Sequence, residues 1–322
     1  MKPKSIDSLM KNMRDRKGIQ IKGSLQKKKL RYMGYYHGYK GYRYCNSPSS
    51  LLPYTDFNEL QAVYDFDMKI KAILYPQIMF LETSLKNYAL EIIIDEAKSD
   101  RFADIYSALL NDYKSYSIGS DVYKKAISKR MNIRKKIYDD ISRDYGNSNI
   151  VTHYYDKDCP VPIWAIFEII SLGEFGYFIS SLNSNTRARI SSSIGVKSSF
   201  DKDARLVEKI VFTLKDLRNA VAHNSTIFDT RFKTGEVSYR ISRYISSETG
   251  VNNISFNSIV DYVVLISFVM KLLQCTKTDI TNFIKQFDEA CETLRKAVPT
   301  TIYAKIIFTD TKNKLNALKN FL

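Results

Sequence analysis

The spacing of apolar residues along the chain predicts a mostly helical, all-α protein. Long stretches contain neither glycine nor proline, of which the chain has only twelve and seven, and in these stretches apolar residues recur every three or four positions. Asp56 and Glu59 have the spacing of a capping box at the start of the first long helix. Loops are expected at 146–160 and 224–255, the second with a short hairpin. Helices are predicted at about 56–96, 101–115, 121–145, 162–184, 203–223, 256–275, 278–297 and 300–320.

The first 50 residues form a basic, tyrosine-rich arm. They contain thirteen lysines and arginines and only two acidic residues, so they supply +11 of the net charge of +15. Gly34, Gly38 and Gly41 are expected to break any helix in the arm. We therefore divide the chain into an arm at 1–50 and a helical domain at 51–322. The charge favours a polyanionic partner such as nucleic acid; the alternative is a basic surface that only keeps the protein soluble.

The chain has few of the cysteines and histidines that bind metals, and its apolar runs are too short to anchor it in a membrane. The four cysteines form no C-x-x-C pair and the three histidines lie far apart in the sequence, so we predict no metal and no cofactor. The longest apolar run, Tyr262–Met270, is too short to cross a bilayer. The start of the chain has no apolar segment typical of a signal peptide. We expect a cytoplasmic protein that does not bind a membrane.

The segment Leu206–His223 contains the candidate catalytic residues. Its apolar positions form one helical stripe, and Arg218 lies on or beside that stripe. A charge on a buried face is costly unless it is paired or meets a ligand. His223 lies five residues further, about 140° around an ideal helix, so the two side chains would meet only at a helix end, a distortion or a subunit interface. Asn219 shares a face with His223.

An arginine and a histidine near one phosphate are sufficient to cleave RNA without a metal. The histidine can move the proton of the ribose 2′-hydroxyl, which attacks the phosphorus. The arginine can stabilise the charge on the phosphate, and Asn219 could orient the histidine or hold the phosphate. The alternative is a buried Arg218–carboxylate pair beside a histidine that merely ends the helix.

A second arginine and histidine have a similar spacing. Arg31 and His37 are separated by five residues, but they lie in a segment rich in tyrosine and glycine. With three histidines in the chain, about 0.4 such matches are expected by coincidence, so the spacing alone is only a weak signal. We interpret Arg31–His37 as that coincidence.

Five segments follow one another along the chain: Tyr35–Tyr42, Phe57–Asp67, the region of Glu82, Pro162–Glu174 and Arg218–His223. In this order they resemble the motifs of the Abi family of bacterial abortive-infection proteins (AbiD/AbiF-like). The fifth, Arg218 to His223, also resembles the Arg-x4–6-His signature of HEPN ribonucleases. Glu82 lies in the third, where Lys86 stands in place of a frequent arginine and cannot make its bidentate contact.

The resemblance implies a HEPN-type helical bundle with additional helices and metal-independent endoribonuclease activity in phage defence, with a 2′,3′-cyclic phosphate product. It also implies a homodimer in which Arg218 and His223 of two chains meet, and a toxin restrained by a small non-coding antitoxin RNA. A non-catalytic RNA-binding module of the same fold is the alternative, and a scaffold that sequesters a partner is a third possibility.

Two basic regions, the arm and the helix at 121–145, are the candidates for binding RNA. The basic helix could be a phosphate-binding ridge or an ordinary solvated face, and the tyrosines of the arm could stack on bases or pack against the first long helix. The predicted RNA-binding residues are Lys27, Lys28, Lys29, Arg31, Tyr35, Tyr36, Lys40, Arg43, Lys124, Lys125, Lys129, Arg130 and Arg134.

Three further positions are given a role. Trp164 is expected in the core. Glu168 and Glu174 are expected to cap a helix or pair with an arginine. Glu82 could pair with Arg218 or shape the site around it.

Overall fold

A computed structural model describes residues 5–322, which fold into helices joined by short loops. Isolated bridges occur, but this part of the chain contains no β-strand, so the all-α prediction is confirmed. A π-helix (Gly34–Lys40) follows α2, and a 3₁₀ helix (Asp112–Ser115) follows α4. The α-helices are α1 (Ile6–Lys17), α2 (Gly23–Met33), α3 (Phe57–Ala97), α4 (Phe102–Ala108), α5 (Asp121–Asp144), α6 (Asn149–Tyr155), α7 (Ile163–Ile169), α8 (Leu172–Ser181), α9 (Ser184–Ser193), α10 (Leu206–Ala222), α11 (Tyr239–Thr249), α12 (Ile259–Leu272), α13 (Lys277–Ala297), α14 (Thr300–Ile306) and α15 (Thr311–Phe321).

The longest helix, α3, is the element around which the others pack. It has 41 residues and begins with the predicted capping box of Asp56 and Glu59. It contacts α9, α10, α12 and α13. Both α10, which contains Arg218 and Asn219, and the C-terminal helices are therefore positioned against α3. A second central element is α12, which is buried on nearly all sides, as expected of a helix with apolar residues around its whole circumference.

Several predicted boundaries are wrong because capping residues divide the apolar patterns. The predicted helix at 162–184 is two helices, since Ser171 and Glu174 form a capping box that starts α8. The stretch at 300–320 likewise forms α14 and α15. The predicted loops contain α6 and α11, and the second contains no hairpin. The polar helix α9 was not predicted; Asn183 caps it by accepting from the backbone of Thr186.

The N-terminal arm is helical, so the prediction that its glycines break any helix holds only for Gly34, which ends α2 with φ = 72°. It is wrong for Gly38 and Gly41, which keep helical backbone conformations. The tyrosine-rich stretch forms the π-helix, in which Gly38 is needed because a Cβ there would lie 2.6 Å from Met33 Cγ. Met13, Leu30 and Tyr42 are fully buried in the same core as the helices that follow. Residues 1–4 of the arm lie outside the described part of the chain. Whether residue 50 is a domain boundary stays a prediction.

None of the helices between residues 5 and 322 is both long enough and apolar enough to span a bilayer.

Candidate active site at the end of α10

The helix α10 ends in a Schellman motif that places His223 at the protein surface. The backbone N–H of Ser225 donates to the carbonyl of Ala220 at 2.8 Å, and that of Asn224 donates to Val221 at 3.1 Å. Asn224 has φ = 52°, a left-handed conformation that asparagine tolerates better than most residues. His223 is the C-cap residue and its side chain is exposed.

Arg218 is half-buried and forms an ion pair with Glu82 of α3. Its Nε lies 3.1 Å from Glu82 Oε2, and Lys86 Nζ lies 3.2 Å from Glu82 Oε1. Lys86 also donates to the carbonyl of Ile170 at 2.8 Å. The structure thus shows the pairing of Glu82 with Arg218, and it gives Lys86 a structural role, because its ammonium bridges α3 to the end of α7. Arg218 borders a small pocket of about 160 Å³ together with Glu168.

Asn219 and His223 face a different cleft from Arg218. This cleft has a volume of about 380 Å³ and is also bordered by Lys215, Thr226 and Arg231. Within one chain, Arg218 therefore opens onto one depression and His223 onto another, as the angle of about 140° between them requires.

The loop after α10 is fastened to α3 through the buried carboxylate of Asp67. Oδ1 of Asp67 accepts the backbone N–H groups of Ile227 and Phe228, both at 2.8 Å. Oδ2 accepts the hydroxyl of Tyr42 at 2.6 Å and lies 2.7 Å from Lys71 Nζ. Asp67 is fully buried, so these four donors compensate the charge that burial would otherwise penalise. Burial, followed by the adjacent Asp67 carboxylate, raises the pKa of Tyr42 far above its usual value.

The structure brings His37 to the same helix end. Nδ2 of Asn224, the residue after His223, lies 3.2 Å from His37 Nε2, and Lys71 Nζ donates to Asn224 Oδ1 at 2.9 Å. Arg31 is exposed on α2. The match interpreted as coincidence therefore contains a histidine that lies next to the candidate site. No sequence pattern indicates this contact, because His37 and Asn224 are 187 positions apart.

Several predicted RNA-binding residues of the arm contact other side chains of the arm. Lys27 Nζ pairs with Asp7 at 2.7 Å. Lys28, Lys40 and Arg43 lie 5.6, 6.0 and 5.9 Å from the ring centres of Tyr32, Tyr35 and Tyr44. The expectation of packing is met for Tyr39 and Tyr42, which are buried in the core, whereas the side chain of Tyr36 is 81% exposed. Stacking of the exposed tyrosines on bases stays a prediction.

A larger basic depression lies between α5 and α8, and we call it the α5 groove. Its volume is about 640 Å³. Lys124 and Arg134 are exposed on the same helix. The polar and aromatic residues that line the α5 groove are Lys125, Ser128, Lys129, Asn132, Lys135, Lys136, Asp139 and Tyr177.

Arg130 has a different environment from the lysines beside it. Its guanidinium donates to the carbonyls of Leu110 at 2.6 Å and Tyr106 at 3.0 Å. It also lies 3.8 Å from the centre of the Tyr106 ring. These contacts tie α5 to the end of α4, so the guanidinium already has partners within the fold.

Two of the other sequence expectations are decided by the structure. Trp164 is 43% exposed, so the expectation that it lies in the core is wrong; it begins α7 at the surface, where its ring meets the edge of Tyr154. Glu174 caps α8, because its carboxylate accepts the backbone N–H of Ser171 at 2.8 Å.

In the part of the chain that the structure describes, no group of three or more histidine, cysteine, aspartate or glutamate side chains is arranged to hold a metal ion.

The fold and the site define an all-α protein with a histidine–asparagine pair in an open cleft at a helix end. The family described as Abi-like protein matches residues 28–229, well over half of the chain, so the protein belongs to this family. No curated protein and no solved structure gave a significant match. The matched segment contains His37, Glu82, Arg218 and His223, and membership supports a role in abortive infection.

Proposed function

We propose that this protein is a metal-independent endoribonuclease of a bacterial abortive-infection system, with HEPN-type chemistry. The observation that carries the proposal is the end of α10, where His223 and Asn219 line an open cleft and Arg218 directly precedes Asn219 on the same helix. All three residues fall within the segment that matches the Abi-like family. A small RNA that occupies the same surfaces would restrain the enzyme.

In this mechanism the ribose 2′-hydroxyl attacks the adjacent phosphorus while His223 accepts its proton. The bond from phosphorus to the 5′ oxygen breaks, and that oxygen takes up a proton, which leaves a 2′,3′-cyclic phosphate and a 5′-hydroxyl. Exposed histidine is suited to this role because it exchanges protons near neutral pH. Asn219, one turn before His223 on the same face, would donate to a phosphate oxygen.

Arg218 would stabilise the negative charge on the phosphate in the transition state. Because it opens onto another depression than His223 does, we propose that a second copy of the chain completes the site. In a two-fold symmetric pair, Arg218 of one subunit would approach His223 of the other. Its pairing with Glu82 would then be exchanged for pairing with the RNA.

The α5 groove would hold the RNA backbone outside the reacting site. It is lined by four lysines and one tyrosine, a combination suited to phosphate contacts with base stacking. It is connected to the site through α8, which packs against both α5 and α10.

A cleavage assay in EDTA tests the proposal. End-labelled RNA would be incubated with wild-type protein, with Arg218→Ala and with His223→Ala. We expect the wild type to produce 2′,3′-cyclic phosphate ends and each variant to be about 10²- to 10⁴-fold slower. Arg189→Ala, which also removes an arginine from ion pairs, and His153→Ala, an exposed histidine on α6, are the matched controls.

Cleavage that persists in both site variants would refute the assignment of the site. Tight RNA binding by all forms without cleavage would instead favour the non-catalytic RNA-binding module. The second copy is tested by sedimentation and by mixing Arg218→Ala with His223→Ala. A composite site predicts that activity depends on protein concentration and that the mixture regains part of it.

A further inference from the structure

The hydrogen bond between Asn224 and His37 fixes which ring nitrogen of His37 carries the proton. Lys71 Nζ lies 2.9 Å from one side-chain atom of Asn224, and because an ammonium only donates, that atom is the amide oxygen. The amide nitrogen of Asn224 therefore faces Nε2 of His37 at 3.2 Å and donates to it. A neutral imidazole that accepts at Nε2 carries its proton on Nδ1.

The ring of His37 is also held in orientation by two tyrosines. The rings of Tyr42 and Tyr64 each have their centres 6.3 Å from that of His37, at interplanar angles of 80° and 88°. The His37 side chain is exposed, and within residues 5–322 its only hydrogen bond is the one at Nε2. The Nδ1–H group is thus an oriented donor without a protein acceptor in the described part of the chain.

We propose that His37 is an additional RNA-binding residue of the site at the end of α10, in which its Nδ1–H group donates to a phosphate oxygen. This inference rests on the proposed function and adds to it a residue of the N-terminal arm. A phosphate oxygen is an acceptor only, which matches a donor held in one tautomer. His223 and Asn224 are consecutive, so the proton-transfer residue and the residue that holds His37 belong to one helix end.

The role of His37 differs from the one proposed for His223. Because Nε2 is occupied by the Asn224 amide and Nδ1 carries the proton, this ring has no free lone pair with which to accept the proton of the 2′-hydroxyl. His37 would position the RNA and would not exchange protons with it. Replacement of the ring by a group that donates from the same place should therefore preserve the function.

Two substitutions of His37 separate this role from a structural one. His37→Asn places an amide N–H close to the position of Nδ1–H. His37→Gln reaches to the position of Nε2 and can keep the contact with Asn224, but it places no donor at Nδ1. The matched control is His153→Gln, which changes an exposed histidine of α6 that lies outside the proposed site.

The measurement is the Kd for a labelled 2′-O-methyl RNA, which lacks the attacking hydroxyl and cannot be cleaved. We expect His37→Gln to bind about 10- to 100-fold more weakly, the worth of a hydrogen bond to a charged group, and His37→Asn to bind within a few-fold of wild type. Equal affinities of the two variants would overturn the proposal, because a donor at Nδ1 would then not matter. A melting temperature equal to that of wild type would show that both variants are folded.

The same samples keep the two proposals apart. If wild-type protein binds the RNA but cleaves no natural RNA, the nuclease is refuted, and the comparison of His37→Asn with His37→Gln still decides the role of His37. If wild-type protein does not bind RNA, both proposals fail.

Discussion

Replacement of Asp67 by asparagine would test how the candidate site is held together. Asp67 is fully buried and receives two backbone N–H groups of the loop after α10, the hydroxyl of Tyr42 and the ammonium of Lys71. Asparagine has nearly the same shape, and its oxygen can still accept both backbone N–H groups. Its amide nitrogen cannot accept from Lys71, so the substitution leaves a buried ammonium without its counter-ion.

The structure allows the cost to be estimated. Removal of one partner of a buried ion pair costs about 3–5 kcal/mol, and because asparagine keeps part of the hydrogen bonding we expect about 3 kcal/mol. The entropy of unfolding is about 2.1 cal/mol/K per residue, which for 322 residues is roughly 0.7 kcal/mol per degree. The expected decrease in Tm for Asp67→Asn is therefore about 4 °C.

The assay is thermal unfolding of Asp67→Asn, of Lys71→Met and of the double variant. Because the double variant no longer contains the unpaired ammonium, we expect it to be at least as stable as Asp67→Asn alone. Asp95→Asn, which changes an exposed carboxylate paired with Arg189, should leave Tm unchanged. If Asp67→Asn melted within 1 °C of wild type, or if the two single effects simply added, the buried pair would not have the role assigned to it.

Three further predictions concern single side chains. Lys125→Gln should weaken RNA binding and reduce the slope of the logarithm of the RNA association constant against the logarithm of the salt concentration by about 1. Lys277→Gln on α13 should change neither quantity, and equal effects of the two substitutions would refute a role for the α5 groove. Arg130→Met should lower the free energy of unfolding by about 2 kcal/mol, because two carbonyls lose their donors and Tyr106 loses the stacked guanidinium. The RNA affinity of the same variant should not change. Iodoacetamide at pH 8 should label the exposed Cys159 and spare Cys291, because burial raises the pKa of Cys291 to about 12 and leaves almost no thiolate at that pH. Mass spectrometry of the labelled peptides checks this, and fast labelling of Cys291 would contradict it.

Helices whose own residues carry a clear apolar period were predictable within a few residues. This holds for α3, α5 and α13, whose ends coincide with capping residues or with the end of the apolar stripe. The helix α9 was not predictable in this way, because its sequence is mostly serine, asparagine and arginine. It is stabilised by contacts made elsewhere in the fold, among them the buried pair of Arg187 with Asp112 at 2.7 Å.

The same distinction applies to the candidate site. The pattern of α10 showed that Arg218 lies beside a buried face and shares no face with His223, and it left the pairing with a carboxylate as one alternative. Glu82 was a candidate for this carboxylate, but the pattern could not decide between that pairing and other roles for Glu82, and it could not show the bridge from Glu82 to Lys86. Periodicity shows which face of a helix a residue occupies, but the element that covers this face is determined by packing between distant segments.

The position of the arm follows from the same packing and bears on its function. The hydroxyl of Tyr42 is one of the four donors to the buried Asp67 carboxylate, and His37 contacts Asn224 at the end of α10. Deletion of residues 1–50 would therefore expose Asp67 and release the loop that follows His223. We expect the arm to be inseparable from the site, so that loss of activity on its deletion would reflect loss of site geometry as well as loss of basic residues. Charge-reversing substitutions of exposed lysines such as Lys28, which leave Tyr42 and His37 in place, are the way to measure the electrostatic contribution alone.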